Sequence, residues 1–221
     1  FKTLRTVGAL KVILPEIDQL FGVPQPMLYH PEVDTAIHSL KALDFACMES
    51  TDTNVRFAAL THDIGKGKSD VDNLPHHHGH ETLGGKLALA LAKRLKLPNK
   101  TRELCEKVAT YHTHCHRILE LSPKTVVKTL KQLSAMKTDQ FFNDFLLCCE
   151  ADARGRSGFD ETPYWQGNLF SRYQQAVSLV NAKEFVEQGL KGKAISEAMT
   201  RKQINQVAKI KQEFISHKLF N

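Results

Sequence analysis

Apolar positions recur at helical spacing along nearly the whole chain, and no alternating run of useful strand length interrupts them. Leu4, Val7, Leu10, Val12, Ile13 and Leu14 predict a short helix, broken at Pro15, with a second short turn ending near Gly22. Gln25, flanked by Pro24 and Pro26, marks a loop. Asp34 or Thr35 then caps a helix running through Cys47-Met48, whose apolar face is Ile37, Leu40, Leu43 (or Asp44) and Cys47. On composition alone, His38 belongs on the exposed side of that helix. Thr51-Asp52-Thr53-Asn54 is a turn and cap for a helix ending in His62-Asp63, and residues 65–80 read as a loop.

From His80 to Leu97 a helix is expected, with Leu83, Leu87, Leu91 and Leu95 every four residues and Gly84-Gly85 permitting close packing. Thr101 caps the next, through Leu104, Val108 and Tyr111, with His112, His114 and His116 at its end. Ser122-Pro123 opens another by cap-then-proline chemistry, with Val126, Val127, Leu130 and Leu133 apolar. Residues 138–150, Leu169 to about Phe185, and Ala194 to about Lys218 complete the helices. The expected fold class is all-α.

One run within this pattern carries chemistry. Arg56 to Gly67 delivers an adjacent His62 and Asp63, followed at once by Gly65, Lys66 and Gly67. A neutral imidazole nitrogen and a hard carboxylate oxygen together suit a divalent cation of the Mg, Mn, Co, Ni or Zn group. Neighbours on a helix diverge by roughly 100 degrees, so the pair can share an ion only if other segments complete its shell. Asp152, at the end of an apolar helix and before Arg154-Gly155-Arg156, is the candidate distant carboxylate. A salt bridge to Arg154 or Arg156 is the equal alternative. Lys66 lies about one turn beyond the pair and can set an ammonium against an anionic substrate. Four histidines in five positions, His76-His77-His78 and His80, read as the rim of a site.

Composition adds constraints. A chain of 221 residues, 42% hydrophobic and 24% charged, buries a substantial core. No apolar run approaches the ~20 residues a membrane helix needs. The five cysteines form no CxxC pair and read as free thiols of a reducing cytosol. A net charge of +6 is compatible with a phosphate-rich partner. Lys193, Arg201, Lys202, Lys209, Lys211 and Lys218 lie along or just before the last helix, as a solvated face or as contacts to an RNA backbone. The start, Phe1-Lys2-Thr3-Leu4, has no Met, which fits a piece of a longer polypeptide.

The order and spacing of His38, His62-Asp63 and Asp152 resemble the HD superfamily of metal-dependent phosphohydrolases. The wider sequence is similar to the C-terminal part of gammaproteobacterial multifunctional CCA-adding enzymes, the tRNA nucleotidyltransferases. Leu14-Pro15-Glu16-Ile17-Asp18, Leu20 to Gln25, His30 to Thr35, His76 to His80 and Glu150 to Phe159 carry that likeness. The resemblance implies an HD-type helical bundle at 29–160, flanked by the end of the body or neck at 1–28 and a helical tail at 161–221. It makes His38, His62, Asp63 and Asp152 the metal ligands. Lys66, His80 and His112 become catalytic or proton-transfer residues, and Arg56, Arg154 and Arg156 candidate phosphate or RNA contacts, with structural ion pairs as their alternative.

It further implies 2′,3′-cyclic phosphodiesterase, 2′-nucleotidase and phosphatase activity with Mg or Ni, and Mn as a further candidate. The expected partners are a tRNA 3′ end, small 2′,3′-cyclic or 2′-nucleotides and an N-terminal polymerase head, in the cytoplasm, with no membrane and with an oligomer compatible. No paired catalytic aspartates precede the HD region, so CCA addition is not expected of this chain alone. The opposing expectation is a non-catalytic tRNA-binding body and tail with a structural or vestigial metal site.

Overall fold

The computed structural model describes residues 1–135 and 139–220, of which the side chains of 139 and 218–220 are left aside. Thr138, the expected start of one helix, and the Lys218 side chain therefore lie outside the described residues. The chain is all-α: no strand forms among the described residues, and the isolated bridge pairs Pro24 with Asp34. It divides into two compact units, one of Phe1–Thr113 with Asn143–Tyr164, the other of His114–Phe142 with Trp165–Asn221.

The first unit opens with three short turns, α1 (Lys2–Thr6), α2 (Ala9–Ile13) and α3 (Pro15–Asp18), which bury Leu10, Ile17 and Leu20. A tight loop follows, tied by the Gln25 N–H to the Val33 carbonyl (2.7 Å) and by the Gly22 N–H to Asp34 Oδ2 (2.6 Å). Asp34 then caps α4 (Thr35–Glu49), accepting from the N–H groups of Ala36 and Ile37. The buried face of α4 is not the expected Ile37-Cys47 stripe. It comprises Thr35, His38, Ser39, Ala42, Phe45 and Ala46, while Ile37 and Cys47 face water. α5 (Thr53–Thr61) packs on α4, and the small Ala42 lies against the chain at Gly155, so short side chains line much of the buried face.

After α5 the chain is not a plain loop. A 3₁₀ turn at Ile64–Lys68 packs against α6 (His80–Arg94), and a second covers Val71–Asn73. A Cβ on Gly65 would meet the His80 carbonyl oxygen at 2.1 Å, and one on Gly85 would meet Thr110 Oγ1 at 2.1 Å. At 65 the opposing atom is backbone and only glycine fits, whereas at 85 a Cβ would displace the Thr110 hydroxyl from the Glu106 carbonyl. The buried stripe of α6 is therefore Gly84, Gly85, Ala88, Leu91 and Ala92, and Leu83 of the expected leucine repeat is exposed. The helix stops at Arg94 rather than Leu97, leaving through Lys96 at φ 55. In α7 (Asn99–His116) Thr101 is an interior residue, not the cap, and its hydroxyl donates to Asn54 Oδ1. Gly155, after α9 (Asp139–Arg154), lets that helix end abut α4: a Cβ there would lie 2.7 Å from Ala42 Cα.

The second unit packs α8 (Pro123–Gln132), capped by Ser122, with α10 (Trp165–Ser178), α11 (Lys183–Glu187) and α12 (Lys193–Phe220). Val126, Val127, Leu130, Phe142, Phe170, Tyr173 and Val207 form its core. The helix expected over 169–185 is two helices, separated where Asn181 Oδ1 accepts from the Lys183 N–H.

Candidate metal centre

Four segments of the first unit converge on one buried cluster. α4 contributes His38, the end of α5 and the residue after it contribute His62 and Asp63, α7 contributes His112, and α9 contributes Asp152. His38, His62 and Asp63 are at most 1% exposed, and His112 and Asp152 are also buried. His38 Nε2 lies 2.9 Å from Asp152 Oδ1, and His62 Nε2 lies 3.1 Å from Asp63 Oδ2 and 3.5 Å from Asp152 Oδ1. His80 Nε2 and His112 Nε2 approach Asp63 Oδ1 at 3.4 and 3.5 Å. Asp152 thus pairs with this cluster rather than with the neighbouring arginines.

Backbone carbonyls fix three of the imidazole tautomers. His62 Nδ1 donates to the Ala59 carbonyl (2.8 Å), His80 Nδ1 to the His77 carbonyl (2.7 Å) and His112 Nδ1 to the Val108 carbonyl (3.0 Å). Each neutral ring therefore turns an Nε2 lone pair toward a carboxylate that also offers lone pairs. His62 Nε2, Asp63 Oδ1 and His80 Nε2 are buried without a hydrogen-bond partner. Acceptors do not gather around acceptors unless a cation or protons stand between them. The set fits a divalent ion. His38, His62 and Asp152 form one group able to hold it, and Asp63, His80 and His112 another, with ligand atoms in each within 4.8 Å of one another.

The electrostatics agree. Burial would raise the Asp63 pKa, but Lys66 and His62 beside it hold the carboxyl well below the ordinary range. Burial would lower that of His62, yet Asp63 and Asp152 outweigh it and lift the ring to about 9. His80 is shifted upward by Asp63 against the effect of burial, while burial carries His112 downward. With no cation, protons occupy this negative pocket.

Lys66 is buried, with Nζ 2.7 Å from Asp63 Oδ2 and 2.5 Å from Gln25 Oε1. The arginines are placed otherwise. Arg56 donates to the carbonyls of Cys47 and Ser50 at the end of α4, Arg154 pairs with Glu150 and the Asp160 carbonyl, and Arg156 donates to the carbonyls of Ala153 and Tyr29.

Two residues at the centre had no role in the sequence reading. Glu32 Oε1 sits 2.9 Å from His38 Nδ1 and 3.4 Å from His30 Nδ1, close though oblique, while Oε2 accepts from the Ser157 N–H. Gln25 is 2% exposed. An acid two residues before a helix cap reads locally as cap chemistry, and a glutamine between prolines as a turn. Only the fold brings them inward.

Residues 35–140 match the family described as the HD domain. The chain carries an HD domain over those residues. HD domains form a superfamily of metal-dependent hydrolases, and the buried His/Asp cluster is this member's candidate site. Curated relatives named multifunctional CCA protein extend the likeness beyond that domain. The protein of Thioalkalivibrio sulfidiphilus is 47% identical over 214 residues, covering 97% of this chain and 52% of its own. That of Teredinibacter turnerae is 46% identical over 216 residues, covering 98% and 53%, and that of Nitrosococcus oceani 47% over 207, covering 94% and 51%. The HD-domain chain thus spans about half the length of the curated relatives it matches. No helix among its described residues is long and apolar enough to cross a membrane.

Proposed function

We propose that this HD domain is a metal-dependent phosphohydrolase that opens 2′,3′-cyclic phosphates and removes 2′-phosphates and other phosphomonoesters. It is the part of a multifunctional CCA protein that prepares tRNA 3′ ends in the cytoplasm, beside an N-terminal polymerase head. The observation that carries the reading is the set of buried imidazole lone pairs facing Asp63 and Asp152, with a lysine against the same carboxylate.

His38, His62, Asp63 and Asp152 would hold the ion, Mg, Ni or Mn by ligand type. When bound, such an ion supplies Lewis acidity toward phosphorus and a water of lowered pKa. Lys66 offsets charge that develops on the phosphoryl oxygens. His80 is the less enclosed of the two histidines on Asp63 Oδ1, with an 11% exposed side chain against 3% for His112. It therefore takes the proton-transfer role at Nε2, serving the leaving ribose oxygen. His112 orients Asp63 from the enclosed side. Arg154 and Arg156 act on substrate only by leaving the carbonyls they now serve, so their role is structural first.

The test is hydrolysis of 2′,3′-cyclic AMP by metal-stripped protein given Mg, Mn or Ni, beside Asp63→Ala. Metal-dependent turnover that the variant loses supports the reading. Absence of turnover with every metal, in folded protein that still binds tRNA, would favour a non-catalytic RNA-binding body. Along α12 the ion pairs Lys193–Glu197 and Lys202–Glu184, and the Lys211 bond to the Leu121 carbonyl, already engage part of the charge on which that second reading depends.

A further inference from the structure

Lys66 and Lys68 leave the same 3₁₀ turn but serve different surroundings. Lys66 is buried on Asp63, whereas Lys68 is exposed and lines a separate pocket of about 100 Å³. Asn73, His76, His78 and His80 also line this pocket. His80 joins it to the metal centre, because the same ring holds Nε2 3.4 Å from Asp63 Oδ1. Among the described residues the side chains of Lys68, Asn73, His76 and His78 make no hydrogen bond or ion pair. Asp70, the acid at the pocket, spends Oδ1 on the Asp72 N–H.

The space holds several water molecules. It is large enough for a phosphate group. An ammonium, an amide and two imidazoles without protein partners are suited to phosphate oxygens, which accept strongly from charged donors. A substrate whose terminal phosphate lies at Asp63 and whose chain continues past His80 meets this pocket next.

We propose that the pocket is a subsite for the phosphodiester preceding the terminal nucleotide of an RNA 3′ end, so that the site prefers RNA ends to free nucleotides. The proposal rests on the phosphohydrolase reading above and adds the place where the RNA chain before its end is held. Non-specific phosphate contacts give affinity without base preference, so the preference is for an RNA chain rather than for a sequence.

The experiment compares kcat/KM for 2′,3′-cyclic AMP and for a short RNA ending in a 2′,3′-cyclic phosphate, in the metal-loaded chain and in Lys68→Ala and Lys68→Arg. Lys68→Ala should lower kcat/KM about tenfold on the RNA, leave the mononucleotide within about twofold, and be rescued by Lys68→Arg. Equal losses on both substrates, or none on either, would overturn the subsite. Fluorescence polarisation with the same RNA ending in a 3′-hydroxyl needs no turnover. There Lys68→Ala should weaken binding and reduce the salt slope by about 1. Unchanged binding sinks the subsite, whereas weakened binding without hydrolysis of either substrate retains it as an RNA contact and sinks the phosphohydrolase reading alone.

Discussion

Lys66 Nζ lies 2.7 Å from Asp63 Oδ2, so this carboxylate is already neutralised on one side by a buried ammonium. A divalent cation held by Asp63 would stand beside this ammonium. Lys66 therefore opposes the ion by charge while stabilising the carboxylate that would bind it. Gln25 Oε1 holds the ammonium from the other side, and since lysine only donates, the amide orientation at Gln25 is fixed.

Replacing Lys66 by Met should separate these effects. Removing one partner of a buried pair leaves the other charge uncompensated, at a cost of about 3–5 kcal/mol. Metal-free Lys66→Met protein should melt well below wild type. Divalent metal should bind it more tightly, because the competing ammonium is gone, while turnover falls by about 10²–10³. Calorimetric metal titration beside melting curves checks all three; weaker metal binding would contradict the opposition.

The lifted pKa of His62, about 9, sets a pH dependence. A raised histidine pKa stabilises the fold fully below the unfolded value near 6.5, and that stability is lost as pH climbs through about 9. Metal-free protein should lose stability between about pH 6.5 and 9. Loading metal requires the ring to be neutral, so metal affinity should rise across the same window and binding should release protons. Measuring heat of binding in buffers of different ionisation enthalpy counts them; zero release at pH 7 would remove His62 from the ligand set.

Gly65 should tolerate no side chain. A Cβ there meets the His80 carbonyl oxygen at 2.1 Å and the Gly84 nitrogen at 2.8 Å, both backbone atoms that cannot swing aside. Gly65→Ala should push α6 from the turn that carries Lys66, costing about 1–3 kcal/mol by overpacking. Metal affinity should fall with it. Circular dichroism melting and metal titration of the variant provide the check, and a wild-type melting point would mean that the turn and α6 separate freely.

The sequence reading reached the helices with strong local signals and the residues with strong chemical ones. Asp34, Asp52 and Ser122 cap where a polar residue precedes an apolar run, and all three do accept first-turn N–H groups. Face assignment failed on α4 because Ala42, Ser39 and Ala46 carry little hydropathy, yet all three are buried with His38, Ala42 against the chain at Gly155. The same preference for small residues moved the buried stripe of α6 from leucine to Gly84, Gly85 and Ala88. His38, His62, Asp63 and Asp152 were legible through their spacing and the family pattern, and the fold brings them together. Glu32 and Gln25 were not, because each acts on a ligand or lysine distant from it in local structure.

Glu32 also yields the sharpest test of how the site is organised. Its carboxylate meets His38 Nδ1 on the side of the ring opposite the metal-facing Nε2. A proton held on Nδ1 by Glu32 frees the Nε2 lone pair for an ion and fixes the ring's orientation. Glu32 is itself anchored, because Oε2 accepts the Ser157 N–H beyond the end of α9, the helix that carries Asp152. Replacing it by Gln keeps the shape but puts a weaker acceptor, or a competing amide N–H, against His38. Metal affinity of Glu32→Gln should fall by about 10–100-fold, with the fold and the saturating-metal kcat largely retained. Glu32→Asp should recover part of that loss if the charge matters, and none if only the side-chain length does. Titrating metal into both variants, with kcat measured at saturation, distinguishes an orienting carboxylate from a packing residue, for which the two variants would lose stability without any selective loss of metal.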